Sequence, residues 1–448
     1  MGMERPVPMD TNKQLRRLLG GLLLAAATSL FAQVSSSKTV RHHRVVEQDP
    51  SQPPELSQAE AAIEKKDYGS AEPLLKKVVS TQPSNYQAWF DLGFVYNALG
   101  RTEESIAAYR QSVTAKPDVF ESNLNLGLSL AKNKQSGAEE FLRAATKLKP
   151  QSHPDEGHAR AWLGLGHVLE ESDPDAAIEA FRQAAALQPK DPEPRLSAGF
   201  LLEKANKFAD AEEQYKQALT LDPSSQDALV GLANVYMRGK RYPEAEDYLR
   251  KVVAQRPSEA QPHIQLGRVL AADQKYDDAA AELQAGLKIA PNDAGAQSDL
   301  ADIYVETGKF AEAEAVYRPL LAAHPENAEL HQKLGLCLMK QKKFLPAEQE
   351  FMTAVKLKPD WGAVYGDLAF AANENQNYPL AIKALDIRAK FLPEVPVGYF
   401  LRATAYDHLR DYHQAAANYH LFLQVANGKY PDQEWQARHR LITIEPKK

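Results

Sequence analysis

Residues 88–117 read AWFDLGFVYNALGRTEESIAAYRQSVTAKP. Trp89, Leu92, Gly93 and Tyr96 stand three or four apart, the spacing of one face of a helix. Gly100 breaks that helix. Ser105, Tyr109 and Val113 then mark one face of a second helix, which Pro117 closes. Proline has no backbone N–H to donate and disfavours helix in the residue before it, so it serves as a stop. The stretch is a helix, a turn and a second helix.

The same punctuation recurs along the chain. Pro189, Pro223, Pro257, Pro291, Pro325, Pro359 and Pro393 are each 34 residues apart. Upstream, Pro83 to Pro117 is 34, Pro117 to Pro150 is 33, and Pro150 to Pro189 is 39. A fixed period of this length marks a solenoid of stacked units. Leu300, Ala301 and Tyr304 precede Gly308, then Ala313, Tyr317 and Leu320 follow. Leu334, Gly335 and Leu338 precede Phe344, then Ala347, Phe351 and Ala354 follow. Glycine or alanine on each first helix lets the paired backbones approach, while large residues fill the space beside them.

These residues resemble the tetratricopeptide repeat family. The resemblance implies an all-α solenoid of helix-turn-helix units winding into a right-handed superhelix. About eleven units end at Pro83, Pro117, Pro150, Pro189, Pro223, Pro257, Pro291, Pro325, Pro359, Pro393 and near Val425. The array is placed at 54–425, with an insertion at 151–157 between the third and fourth units that could act as a hinge or as a plain surface loop. Gly286 and Arg388 stand where a packed alanine is common. A loop and a capping helix from Pro431 to about Thr443 fill 426–448, where Trp435 and Leu441 are expected to cover the apolar end of the stack.

The N-terminus differs in kind. Lys13, Arg16 and Arg17 precede LLGGLLLAAATSLFA, residues 18–32, an apolar run of 15. That is short of the ~20 residues needed to span a bilayer, and the basic flank and small residues read as a secretory signal over 1–32. The expectation is a periplasmic or secreted protein; the alternative is a chain anchored in the membrane by residues 18–32. Residues 33–53 are polar, Ser- and Pro-rich, and read as a flexible linker. His42 and His43 lie in it.

Composition narrows the chemistry. The formal charge of −6 becomes −8 once the four basic and two acidic residues of 1–32 are set aside. A mildly acidic chain offers no electrostatic footprint for nucleic acid. The one cysteine, Cys337, reads as a small buried apolar residue. His408, His413 and His420 share no helical face, and the glycines at 164 and 166 fall where other units carry Gly or Ala. No catalytic, cofactor or metal-ligating set is legible, and the expectation is a protein without enzymatic activity.

In the resembled family the first helices line a concave groove that holds a peptide or a helix. Two positions four apart face it, three residues before the small residue and one after it. In chain order they are Phe90/Phe94, Leu124/Leu128, Leu163/His167, Leu196/Phe200, Val230/Asn234, Ile264/Arg268 and Ser298/Asp302, then Gln332/Leu336, Gly366/Phe370 and Phe400/Thr404. The chaperone-binding members clamp a terminal carboxylate with Lys and Asn at this pair, and no unit here has both. The apolar stripe from Phe90 to Phe200 is expected either to grip apolar side chains of a partner or to be packing between first helices. Arg268 and Asp302 are expected to read polar groups. The resemblance thus implies an interaction scaffold, serving an envelope, secretion or pilus-type assembly. Two other readings stand beside it: an accessory substrate-binding subunit of a separate enzyme, and self-association through the ends of the array.

Overall fold

The computed structural model describes residues 52–445. The expected signal, nearly all of the linker, His42 and His43 lie outside the described residues. Among the described residues there are 23 α-helices and no strand. The chain divides into two compact bodies at Val252.

The first body is a run of antiparallel helix hairpins. Its helices are α1 (Pro54–Glu64), α2 (Tyr68–Thr81), α3 (Tyr86–Ala98), α4 (Thr102–Ala115), α5 (Phe120–Lys132), α6 (Ala138–Lys147), α7 (Pro154–Leu169), α8 (Pro174–Leu187), α9 (Glu193–Lys204), α10 (Phe208–Leu221), α11 (Gln226–Arg238) and α12 (Tyr242–Gln255). The second body continues with α13 (Ala260–Ala272), α14 (Tyr276–Ile289), α15 (Ala294–Glu306), α16 (Phe310–Ala323), α17 (Ala328–Lys340), α18 (Phe344–Leu357), α19 (Gly362–Glu374), α20 (Tyr378–Arg388), α21 (Pro396–His408), α22 (Tyr412–Ala426) and α23 (Pro431–Ile444).

Close approach inside each hairpin comes from the small residues. A Cβ at Gly93 would sit 2.7 Å from the Tyr109 ring, one at Gly335 2.6 Å from the Phe351 ring, and one at Gly267 2.7 Å from Leu283. Tyr109, Phe181, Tyr317 and Phe351 are fully enclosed as a result. Gly164 and Gly166 lie within α7, against Leu128 and Phe181, so they are packing positions. Gly286 abuts Ile264 in the same way.

The turn between the two helices of a unit repeats to the residue in ten hairpins, α7–α8 being the exception. Lys66, Gly100, Lys134, Asn206, Lys240, Gln274, Gly308, Lys342, Gln376 and Arg410 all have positive φ. The next N–H reaches back five residues, as from Arg101 to the Tyr96 carbonyl (2.8 Å) and from Lys309 to that of Tyr304 (2.7 Å). This is the Schellman closure of a helix. Only two of these ten positions are glycine, so the turn is held by its hydrogen bonds and its surroundings.

A second device ties one unit to the next. Trp89 Nε1 donates to the Pro83 carbonyl at 2.9 Å, Asn123 Nδ2 to Pro117 at 2.8 Å, and Gln297 Nε2 to Pro291 at 2.7 Å. His263 and His331 meet Pro257 and Pro325 in the same register at 3.1 Å. The closing proline thus ends one helix and, through its carbonyl, receives the first helix of the next unit. Each such bond contributes about 1 kcal/mol net.

Two expectations are corrected here. Residues 151–157 form no free loop. Pro154 opens α7 at the helix position where proline is best tolerated. Gly157 is buried against Phe120 and Pro150, and the Gln151 N–H donates to Glu121 at 2.8 Å. At the other end, Leu441 is buried as expected, but Trp435 is 61% exposed. The buried face of α23 is Glu434, Ala437 and Leu441, at i, i+3 and i+7. Trp435 is one residue out of that register and stacks on His439 instead.

Gly335→Ala is predicted to lower the melting temperature, because overpacking against Phe351 at about 1–3 kcal/mol exceeds the gain in helix propensity of about 1 kcal/mol. Gly69→Ala, at an exposed position of α2 with only Asp67 within reach, is predicted to raise it, through a stabilisation of up to ~1 kcal/mol. Thermal unfolding of both variants measures this; shifts of the same sign would contradict the close-approach account.

Candidate functional site

The face left by this packing is the row of first helices. In the first body Phe90 is tilted against Tyr109 at 5.7 Å and Phe94 lies edge-on to Tyr68 at 6.3 Å; both remain half-buried. Leu163, Leu196 and Phe200 are also half-buried. Leu124 and Leu128 are not available, at 2% and 8% exposed. The glycine at 164 admits the Leu128 side chain between α5 and α7, so these two leucines are packing and interrupt the stripe.

His167 sits between acids. Its Nδ1 is 2.7 Å from Glu170 Oε1, and its ring is edge-on to Phe181 at 5.0 Å. Asn234 lies beside Glu203, which accepts from Tyr215 Oη at 3.1 Å. Burial raises the Glu203 carboxyl despite these partners and Arg238.

In the second body Leu336, Phe370 and Phe400 are again half-buried and apolar, while Arg268, Ser298 and Asp302 are polar and tied to side chains of neighbouring first helices. Arg268 Nε donates to Asp299 at 2.6 Å, and Lys333 Nζ donates to Asp302 at 2.6 Å and to Ser298 at 3.0 Å. The Tyr317 hydroxyl also donates to Asp302. Arg268 and Asp302, expected to be reading heads, are thus held in a network spanning α13, α15 and α17. Ile264 is fully buried.

Sequence reasoning missed Asp299, Lys333 and Asp367. The signal was present: they occupy one column, two residues before the small residue, in three consecutive units 34 residues apart. Asp367 is buried, and burial pushes its carboxyl up to about 7, against the pull of Gln332 and Arg388. Arg388, in place of the usual alanine, lies over Gly366 and donates to the Pro393 carbonyl at 3.0 Å.

Cys337 is buried, its Sγ 3.0 Å from the Phe310 carbonyl. Among the described residues no group of three or more His, Cys, Asp or Glu could hold a metal ion, and no helix is long and apolar enough to cross a membrane.

This geometry defines a tandem helical-repeat array with a first-helix face of mixed chemistry. Residues 55–300 match the family model described as Cilia and flagella-associated protein 70 C-terminal domain, and residues 270–337 and 306–369 match Tetratricopeptide repeat. The first match spans more than half of the chain, which therefore belongs to that family of tetratricopeptide arrays. Protein CTR9 homolog of Arabidopsis thaliana is 35% identical over 105 residues, 23% of this chain and 9% of that protein. Protein O-mannosyl-transferase TMTC3 of Homo sapiens is 25% identical over 158 residues, 33% of this chain and 17% of that protein. The chain thus spans less than a fifth of the length of these curated relatives. Among solved structures, YrrB, described as a TPR protein with an unusual peptide-binding site, is 24% identical, covering 42% of this chain and 96% of that one at a TM-score of 0.38. Yeast Tom70 is 16% identical, covering 87% and 94% at a TM-score of 0.33. Tetratricopeptide proteins are generally protein-interaction scaffolds.

Asp367 gives a pH prediction with a definite sign. Its folded-state value lies above the ordinary carboxyl value, so the folded chain holds the extra proton between about 4 and 7. The stability it contributes is complete below that window and is lost as pH rises through about 7. Asp367→Asn should flatten this slope in denaturant titrations across that range; an unchanged slope would show that Asp367 is not its source.

Proposed function

We propose that the chain is a non-enzymatic scaffold that holds a peptide or helix of its partner against the first-helix face of the first body. The observation carrying this reading is the set of half-buried apolar side chains Phe90, Phe94, Leu163, Leu196 and Phe200 at one register of α3, α7 and α9. Aromatic and aliphatic side chains anchored on one side and open on the other are what a partner's apolar residues can cover. The polar positions of the second body are already engaged with each other and serve to stiffen it.

The basic flank and apolar run of residues 13–32 support export, with the scaffold serving an envelope, secretion or pilus-type assembly outside the cytoplasm. The test is an in-cell crosslinking pull-down of the full chain, with mass spectrometry of the partners and of the chain's own N-terminus. The expected result is a small set of exported or membrane-embedded partners and a chain starting near Gln33. Cytosolic partners with Met1 retained would overturn the export reading. Phe94→Ser and Phe200→Ser are predicted to leave the chain folded and to weaken partner capture by about tenfold or more each, at roughly 1.5–3 kcal/mol per buried side chain. Unchanged capture by both would overturn the groove reading.

A further inference from the structure

The first-helix face of the first body contains one polar feature that its own packing leaves incomplete. The His167 side chain is 9% exposed, and its Nε2 has no hydrogen-bond partner. Nδ1 is held by Glu170, a carboxylate, so the ring donates there; in the neutral ring Nε2 then presents its lone pair. Facing it at 3.9 Å is Glu193 Oε1, from the start of α9. That separation is too long for a direct hydrogen bond. Two acceptors therefore look at each other across α7 and α9, with no donor from the described residues between them. Burial raises the Glu193 carboxyl, and Asp191 adds to the effect. One turn further along α9, Ser197 Oγ is buried and unpartnered as well.

A buried acceptor without a donor costs about 1–3 kcal/mol, and here that acceptor is His167 Nε2; Glu193, whose side chain is 35% exposed, sets a carboxylate beside it, so a donor that reaches both atoms removes the cost at His167. Two basic side chains of these helices are engaged elsewhere, and Lys204 stands at the far end of α9 from Glu193. Arg195 donates to Gln217 and to the Asp191 carbonyl, and Arg160 interacts with Glu156. Acceptors 3.9 Å apart lie within reach of one nitrogen making two bonds of ~2.8 Å. A lysine ammonium, with three donors on one atom, meets this; a guanidinium fork is shaped for the two oxygens of a single carboxylate. Leu163, Leu196 and Phe200 supply apolar walls on the same helices, suited to the lysine stem.

We propose that His167 and Glu193 form a seat for a lysine side chain, and that the partner segment carries a lysine flanked by bulky apolar residues. This rests on the groove reading above. The test is a selection of random 12-residue peptides displayed on phage, carried out on the full chain and on its Glu193→Gln, His167→Gln and Phe200→Ser variants, each checked for folding by circular dichroism. The wild type is expected to enrich lysine beside bulky apolar residues. Replacing that lysine by norleucine in a selected peptide should weaken binding by about tenfold or more. Glu193→Gln and His167→Gln should each erase the lysine preference while the apolar preference persists, and Phe200→Ser should weaken both. Selected peptides without lysine enrichment, or an enrichment that survives both Glu193→Gln and His167→Gln, would overturn the lysine seat and leave the groove standing. No selectable peptide, or selection indifferent to Phe200→Ser, would overturn the groove and the seat together.

Discussion

Everything in this array depends on how closely the second helix of a unit can approach the first. Where Gly93 faces Tyr109, or Gly335 faces Phe351, a methyl group has no room. A ring is thereby enclosed completely in a hairpin too small to have a core of its own. With the two helices this close, the turn between them must be tight, which fixes a left-handed residue at the same place in unit after unit. The following proline then ends the second helix and offers its carbonyl to the next first helix. The solenoid is the repetition of that local constraint.

Its consequence for function is that second helices and turns are committed to holding the units, so the first-helix face is where the chemistry can vary. In the first body that face alternates half-buried apolar side chains with the His167–Glu170–Glu193 group. In the second, Arg268 and Asp302 of the same register are tied to Asp299 and Lys333 of another column on the neighbouring first helices. Both bodies keep half-buried apolar side chains at these positions; in the second, ion pairs already answer Arg268 and Asp302.

The fold was legible because its signal is redundant: prolines at a fixed interval, and small residues at one column, report the same geometry many times over. The local departures were not. Residues 151–157 read as a loop because they lengthen the interval between closing prolines, yet Pro154 at a helix start is a starter and the last four of them belong to α7. Trp435 read as a cap because its hydrophobicity is visible and its register is not. Periodicity cannot distinguish Phe94, which stays half open, from Leu128, which the glycine at 164 on the next first helix draws into the core. Nor can it show that Arg268 and Asp302 have partners, since those partners stand in a column outside the two groove positions. The left-handed lysines were invisible for a similar reason: the hydrogen-bonded turn imposes that conformation on whatever residue is there.

The account stands or falls on whether partners meet the first-helix face. The most direct measurement places a photo-crosslinking residue at position 200, on the first-helix face of α9, and separately at position 217, exposed on the second helix α10, in full-length protein in cells. The account predicts a discrete adduct with a partner from position 200 and none from 217. An adduct from 217 alone, or equal adducts from both, would contradict it.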